Sequence, residues 1–407
     1  MTPLVLLLLD ACRWDYIDPE TTPFLWKQAE TGRHYRRVIP GPGFCERTEM
    51  LTGMSPAESG FFTAIGHNPE QSPYSGLKPL LSVLHGLEKL STSALWGKVL
   101  RRILRQSMRR KGHGFGPYYI PLHLMDKFCL TEDYYDHRDP RAFAVPSLLS
   151  LVAEDGFRTH YDSFTALGMF NTKSDEERLD LAVKAAVCPT TKLFLVYHSA
   201  PDAFGHKLGP DHAGMRTVMS RVDDQIRRCH EDFLARRPDA RFMIVGDHGM
   251  SQVHERVDAG AEVVRIANEL GLRVGKDFFF FLDSTMLRVW FETPDARSKL
   301  APAIFESHLL ASRGRVLTSQ LAESLHVPMA DRTYGDLIWW ADRGVLVWPD
   351  FFHSSDAHIS GMHGYDPSHA DSHGTCIAFG PGISARQVET LELRGVFEVA
   401  RELLINE

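Results

Sequence analysis

One pattern constrains this chain more than any other: short, uninterrupted apolar runs that lead directly into acidic and histidine residues. Val5–Leu9 ends on Asp10, Phe242–Val245 is followed after one glycine by Asp247 and His248, and Leu193–Tyr197 leads through His198 to Asp202 and His206. Runs of this length read as buried strands, and the stretches between them carry helical signals. Ser174 and Glu177 have the spacing of a capping box ahead of Arg178–Val187. Met215, Val218, Met219, Val222, Ile226 and Phe233 recur at helical spacing. Strands alternating with helices predict an α/β fold, a mostly parallel sheet flanked by helices on both faces.

Two stretches break the rhythm. Residues 64–155 are rich in Pro, Gly and aromatic residues and contain a basic segment from Lys98 to Lys111; residues 252–357 read as a separate α+β unit. That unit has expected strands at Lys276–Leu282, Met286–Phe291 and Leu337–Val347, with Phe278–Phe281 buried on both faces. The expected organisation is a core made of 1–63, 156–251 and 358–407, a cap region inserted at 64–155, and an inserted subdomain at 252–357.

At 407 residues, with 43% hydrophobic and 24% charged residues, the chain has an ordinary globular composition. A net charge of −7 argues against binding to nucleic-acid duplexes, which calls for a basic surface. The six cysteines (Cys12, Cys45, Cys129, Cys188, Cys229 and Cys376) have no regular spacing, so reduced thiols are expected rather than a disulfide framework. The first apolar run is too short to span a bilayer and has no basic residues before it. A cytoplasmic protein without a transmembrane segment is the expectation.

The acidic and histidine residues carry the functional signal. In open α/β sheets ligands bind outside the carboxyl ends of the strands. Asp10, Asp202, His206, Asp247 and His248 would all reach that edge, and the glycine-flanked His363 adds another imidazole. Taken singly, Asp10 reads as a helix N-cap and Asp247–His248 as a turn. Asp202 and His206, framed by Pro201 and Gly205, read as a loop. As a set, three aspartates and three histidines are too many for one tetrahedral site and suit two divalent metals. Mixed carboxylate and imidazole ligation favours zinc, with manganese the second choice, over calcium. Two such ions can clamp the attacking and leaving oxygens of a displacement at phosphorus.

Pro201–Pro210, Asp247–Met250 and His363–Asp366, together with the Asp closing the first strand and Phe379–Ile383, resemble the metal motifs of the type I phosphodiesterase/nucleotide pyrophosphatase family of the alkaline phosphatase superfamily. The resemblance implies an alkaline-phosphatase-like sheet with inserted caps. It also implies one metal on Asp202, His206 and His363 and another on Asp10, Asp247 and His248. The implied reaction is attack by Thr or Ser on a phosphodiester or nucleotide pyrophosphate bond, through a covalent phospho-enzyme. The substrate would be a small molecule or a polymer. A phosphotransferase or mutase of the same superfamily, and a non-catalytic phosphate-binding homologue, are the alternatives.

The nucleophile is where the chain departs from the family pattern. Counting back from Leu51–Gly60 without gaps puts Gly43 where the family has Thr or Ser. A two-residue shortening brings Cys45 to the start of a helix, where the helix terminus and Arg47 would lower its pKa. Arg47 would then contact a phosphoryl oxygen. Thr48 is the competing nucleophile, and a buried, inert Cys45 the plain alternative. The sulfatase motif, Cys-x-Pro/Ala-x-Arg, meets Arg47 and Glu49 here and is disfavoured. His369 and His373 are further metal-shell candidates, with surface or supporting roles the simpler reading. Lys98, Arg101, Arg102, Arg105, Arg109, Arg110 and Lys111 could line an anionic entrance or touch a membrane surface; a solvated helix face is the plainer reading. Gly112–Pro117 reads as a loop.

Overall fold

A computed structural model describes residues 1–90, 94–110, 115–162 and 173–405. Its centre is a seven-stranded sheet in the order Arg386–Glu392, Arg33–Ile39, Gly374–Phe379, Arg241–Val245, Leu4–Leu9, Thr191–His198, Arg158–Tyr161. Leu4–Leu9 lies centrally and pairs in parallel with both Thr191–His198 and Arg241–Val245. Only Gly374–Phe379 runs against its neighbours. This is the mostly parallel sheet the sequence predicts.

The central strand shows why its sequence is apolar at every position. Leu4, Leu6 and Leu8 enter one core, and Val5, Leu7 and Leu9 enter the core on the opposite face. Strand side chains alternate, so a strand covered on both sides must be apolar throughout. Helices Pro23–Thr31, Asp175–Ala185 and Gly214–Leu234 cover one face. Helices Glu46–Thr52, Leu148–Glu154 and Gly395–Ile405 cover the other. Leu148–Glu154 therefore packs with the main sheet, although its residues precede position 156 where the sequence suggests that the core resumes. The capping box forms: the Glu177 amide donates to Ser174 Oγ at 3.2 Å and the Ser174 amide to Glu177 Oε2 at 2.7 Å.

A second, antiparallel sheet has the order Phe278–Leu282, Met286–Phe291, Leu337–Ala341, Gly314–Val316. The strand expected over Leu337–Val347 is two strands, broken at a turn where Gly344 has φ +79°. Val345–Val347 then leaves the sheet and pairs with Glu255–Val257. The antiparallel pair Ile65–His67 and Phe128–Leu130, and helices Lys78–Leu90 and Ala94–Arg110, share a core with this sheet. The two inserted regions thus build one apolar body.

The basic helix buries Leu104 and Met108 in that body and leaves Val99 and Ile103 exposed. Lys98 pairs with Asp356 at 3.1 Å and Arg101 with Glu88. The Leu95 and Arg109 side chains, Lys111 and residues 112–114 of the expected loop lie outside the described residues. Among the described residues no helix is long and apolar enough to cross a membrane.

Candidate active site

The carboxyl ends of three parallel strands meet at a cavity of about 190 Å³. Asp10 follows the Leu4–Leu9 strand directly, and Asp247 and His248 follow Arg241–Val245. Asp202 and His206 lie not in a loop, as Pro201 and Gly205 suggest in the sequence, but on the helix Ala200–Leu208. Proline is at home in a first helical turn, where an amide hydrogen has no helical partner, so it opens this helix instead of breaking it. Gly205 serves close approach: a Cβ there would lie 2.9 Å from Met250 Sδ. The i,i+4 spacing puts Asp202 and His206 on one helix face. The short pairing of Gly361–Met362 with Ser251–Gln252 brings His363 alongside His248, their rings stacked 4.0 Å apart.

All six expected ligand candidates line this cavity, and a seventh group, Glu46, joins them. His206 Nε2 is 3.1 Å from Asp202 Oδ1, and His363 Nε2 is 3.6 Å from the same oxygen. His248 Nε2 is 3.2 Å from Asp10 Oδ1 and 3.8 Å from Asp247 Oδ2. Three sets of ligand atoms lie within 4.8 Å of one another: Asp202, His206 and His363; Asp10, Asp202 and His248; Glu46, His248 and His363. Asp247 is outside these sets, its Oδ1 taking the backbone amides of Ala11 and His248. Tyr197 donates to Asp10 Oδ2.

The imidazole tautomers test whether metals fit. His206 Nδ1 is 2.8 Å from the Gly361 carbonyl, and His248 Nδ1 is 2.7 Å from the Gly249 carbonyl. A carbonyl only accepts, so both Nδ1 atoms carry hydrogen, and both Nε2 atoms face carboxylate oxygens. Each such contact needs a cation between nitrogen and oxygen, either a proton or a metal. This is the arrangement in which a backbone carbonyl orients a histidine ligand. His363 Nδ1 is also buried without a hydrogen-bond partner among the described residues.

The electrostatics show the same need for cations. Burial disfavours a charged His248, yet Asp247, Asp10 and Glu46 raise its pKa well above the usual imidazole value. Burial pushes Asp247 up to about 8, opposed by His248 and reinforced by Asp10 and Glu46. Burial likewise pushes Glu46 up to about 7 against the pull of His248. Burial works against a charged Asp202 too, but His206, His363 and His248 hold it far below the carboxylate range. Asp247 and Glu46 thus favour their protonated forms in the absence of a stronger cation.

The proposed nucleophile segment differs from its sequence reading. Cys45 does cap the helix Glu46–Thr52, but it is 3% exposed and does not line the cavity. Burial, then the charges of Glu132 and Glu46, raise its thiol pKa well above 9.0. The lowering expected from the helix terminus and Arg47 is outweighed. Arg47 borders the cavity, but its guanidinium is held by Asp133 at 3.0 and 3.1 Å and by Glu132. Thr48, 1% exposed, donates both its amide and its hydroxyl to Glu132 Oε1, at 2.7 and 2.6 Å. Gly43 has φ +97°, and a Cβ there would sit 2.0 Å from the Phe62 carbonyl oxygen. The position is closed to any side chain.

His373 is likewise engaged elsewhere, its Nε2 at 2.8 Å from the Pro367 carbonyl, and neither it nor His369 is in a ligand set. Sequence reasoning passed over Glu46 and Tyr197. The signal for Glu46 was its place at the opening of a helix aimed at the strand ends; Tyr197 had only its place near the end of its strand.

The fold and the site define an α/β protein with a carboxylate–imidazole centre at the carboxyl ends of parallel strands, in a cavity also lined by Asp283, Ser284 and His353. The chain belongs to the type I phosphodiesterase/nucleotide pyrophosphatase family, whose profile matches residues 4–366. Human ectonucleotide pyrophosphatase/phosphodiesterase family member 5 is 27% identical over 191 residues, a stretch that spans 46% of this chain and 37% of the human protein. Solved structures of human and murine ectonucleotide pyrophosphatase/phosphodiesterase 5 superpose with TM-scores of 0.70 and 0.69 at 17% and 18% identity. An inactive murine variant in complex with AMP does so at 0.68 and 17%. Each of these covers 99% of this chain and 95% of the other. At such identities the likeness speaks to the fold.

Proposed function

We propose that this chain is a metal-dependent hydrolase of a phosphodiester or nucleotide pyrophosphate bond, using two divalent ions, zinc by preference. The observation that carries this reading is the pair of Nε2 atoms, on His206 and His248, that face buried carboxylate oxygens while backbone carbonyls orient the rings through Nδ1. Asp202, His206 and His363 would hold one ion. Asp10 and His248 would hold the other, with Asp247 or Glu46 completing it. When bound, the ions would supply positive charge for the phosphoryl oxygens and for the departing oxygen. Family membership supports a phosphate ester as substrate, and the AMP in the murine complex supports a nucleotide.

The attacking group in this reading is water. Gly43 has no room for a side chain, and Cys45 and Thr48 are buried against Glu132 and away from the cavity. The carboxylate this helix presents to the cavity is Glu46, able to take the proton of an attacking water at a carboxylate oxygen.

Elemental analysis and hydrolysis of bis(p-nitrophenyl) phosphate test the proposal together. Purified protein should hold zinc or manganese and cleave the diester. Asp202→Ala and Asp247→Ala should each lose metal and about 10³-fold or more in rate. Cys45→Ala and Thr48→Ala should keep both. Protein that binds no metal, or keeps it in both aspartate variants, sinks the two-metal reading. Full metal content with activity lost only in Cys45→Ala would restore the covalent route.

A further inference from the structure

The wall of the cavity formed by the inserted subdomain contains a second set of polar groups. Ser284 and His353 both line the cavity, and both converge on the carboxylate of Asp350. Ser284 Oγ donates to Asp350 Oδ2 at 2.6 Å, and His353 Nδ1 lies 2.8 Å from the same oxygen. The other oxygen, Oδ1, takes the backbone amides of Phe352 and His353 at 3.0 and 2.8 Å. The Asp350 side chain is fully buried, whereas the imidazole of His353 is 29% exposed.

Four hydrogen bonds on one buried carboxylate fix its position, and through it the ring of His353. Burial opposes ionisation of Asp350, but the bonds from His353 and Ser284 keep its pKa below the usual carboxylate value, so it stays an acceptor for His353 Nδ1–H. The nitrogen left to face a bound molecule is Nε2. His353 lines the same cavity as His363 and the other ligand candidates. A buried carboxylate that orients an imidazole at the edge of a cleft is a design for proton transfer. It lies about 150 residues beyond Asp202 in the chain, in a part of the sequence where no motif pointed to chemistry.

We infer that His353 is the proton donor to the departing oxygen, held in place by Asp350 with Ser284 as its brace. The inference rests on the hydrolase reading above and adds to it the group that releases the product. As the bond from phosphorus to the departing oxygen breaks, its electron pair stays on that oxygen, which takes the Nε2 proton and leaves as a neutral alcohol or phenol. Water supplies the new oxygen on phosphorus and gives up a proton to Glu46. His353, now neutral, recovers a proton from solvent. His353 would touch the substrate and is catalytic; Asp350 acts through it and is a positioning residue.

A leaving-group comparison tests this on the metal-loaded protein. p-Nitrophenolate departs without a proton, whereas phenolate needs one, so the two esters separate proton donation from binding. His353→Gln should slow diphenyl phosphate by about 10²-fold or more while leaving bis(p-nitrophenyl) phosphate within about threefold. Asp350→Asn should shift the ratio of the two rates in the same direction but less. His353→Ala should regain part of its diphenyl phosphate activity when imidazole is added, an outcome that a purely structural role would not produce. Equal effects of His353→Gln on both esters, or no effect on either, overturn the inference and leave the hydrolase reading standing. Wild-type protein that is metal-loaded yet cleaves neither ester overturns both.

Discussion

Arg288 and Asp283 form an ion pair in which each guanidinium nitrogen has an acceptor, whereas the cluster at the strand ends sets Asp10, Asp202, Asp247 and Glu46 against only His206, His248 and His363. Both are buried, and Asp283 borders the same cavity as the cluster. Arg288 Nε and one terminal nitrogen bond Asp283 at 2.6 and 3.3 Å, and the other terminal nitrogen bonds the Ile65 carbonyl at 2.9 Å. The pair is neutral and closed, so it needs nothing from outside. The strand-end cluster has more carboxylates than imidazoles, and burial among them raises the pKa of Asp247 and Glu46. Burial alone therefore says little about function; what separates a structural charge cluster from a ligand site is whether its donors and acceptors balance.

That contrast can be broken most sharply at Arg288. Arg288→Met leaves Asp283 buried without its partner and should cost about 3–5 kcal/mol of unfolding free energy. Adding Asp283→Leu should return most of that loss, because removing both charges leaves no orphan. Urea unfolding of the single and double variants measures both effects. If the double variant is no better than the single one, the pair is held by more than its own balance.

The strand-end cluster should respond the other way, to a missing ligand rather than a missing side chain. With free metal at about 100 times its dissociation constant, bound metal adds about 2.7 kcal/mol of stability, and a chelator should remove it. Thermal melts with and without chelator, repeated on Asp202→Ala, test this. The chelator should lower the melting temperature of the native chain and lower that of the variant by less. A smaller effect sharpens the comparison at Gly43. Gly43→Thr should destabilise by about 1–3 kcal/mol, since φ +97° and the Phe62 carbonyl leave no place for a side chain. It should also give no burst of product. A stable Gly43→Thr with a burst would mean that the segment rearranges to admit a nucleophile.

Much of the fold is legible in the chain because strands buried on two faces must be apolar at every position, as Leu4–Leu9 is. Five of the six ligand candidates are legible for a related reason, since parallel strands deliver whatever follows them to one edge, whereas His363 arrives from the separate Gly361–Met362 pairing. The lengths of elements that end at glycine turns are less so, as Gly344 shows by dividing the strand expected over Leu337–Val347. Pro201 and Gly205 misled in the opposite sense, since a proline in the first turn and a glycine at a close contact are both compatible with a helix.

What the sequence by itself determined is the sheet, the cover on both its faces and the donors at its edge, all consequences of local pattern. The tertiary structure alone decided which groups could react. Cys45, Arg47 and Thr48 look reactive along the chain, yet Cys45 is buried, and Glu132 and Asp133, more than 80 residues away, occupy Arg47 and Thr48. Glu46, one residue beyond Cys45, faces the cavity instead, and His353 reaches it from the inserted subdomain. Reactivity depends on what surrounds a side chain in space, and the partners that set it here are distant in sequence.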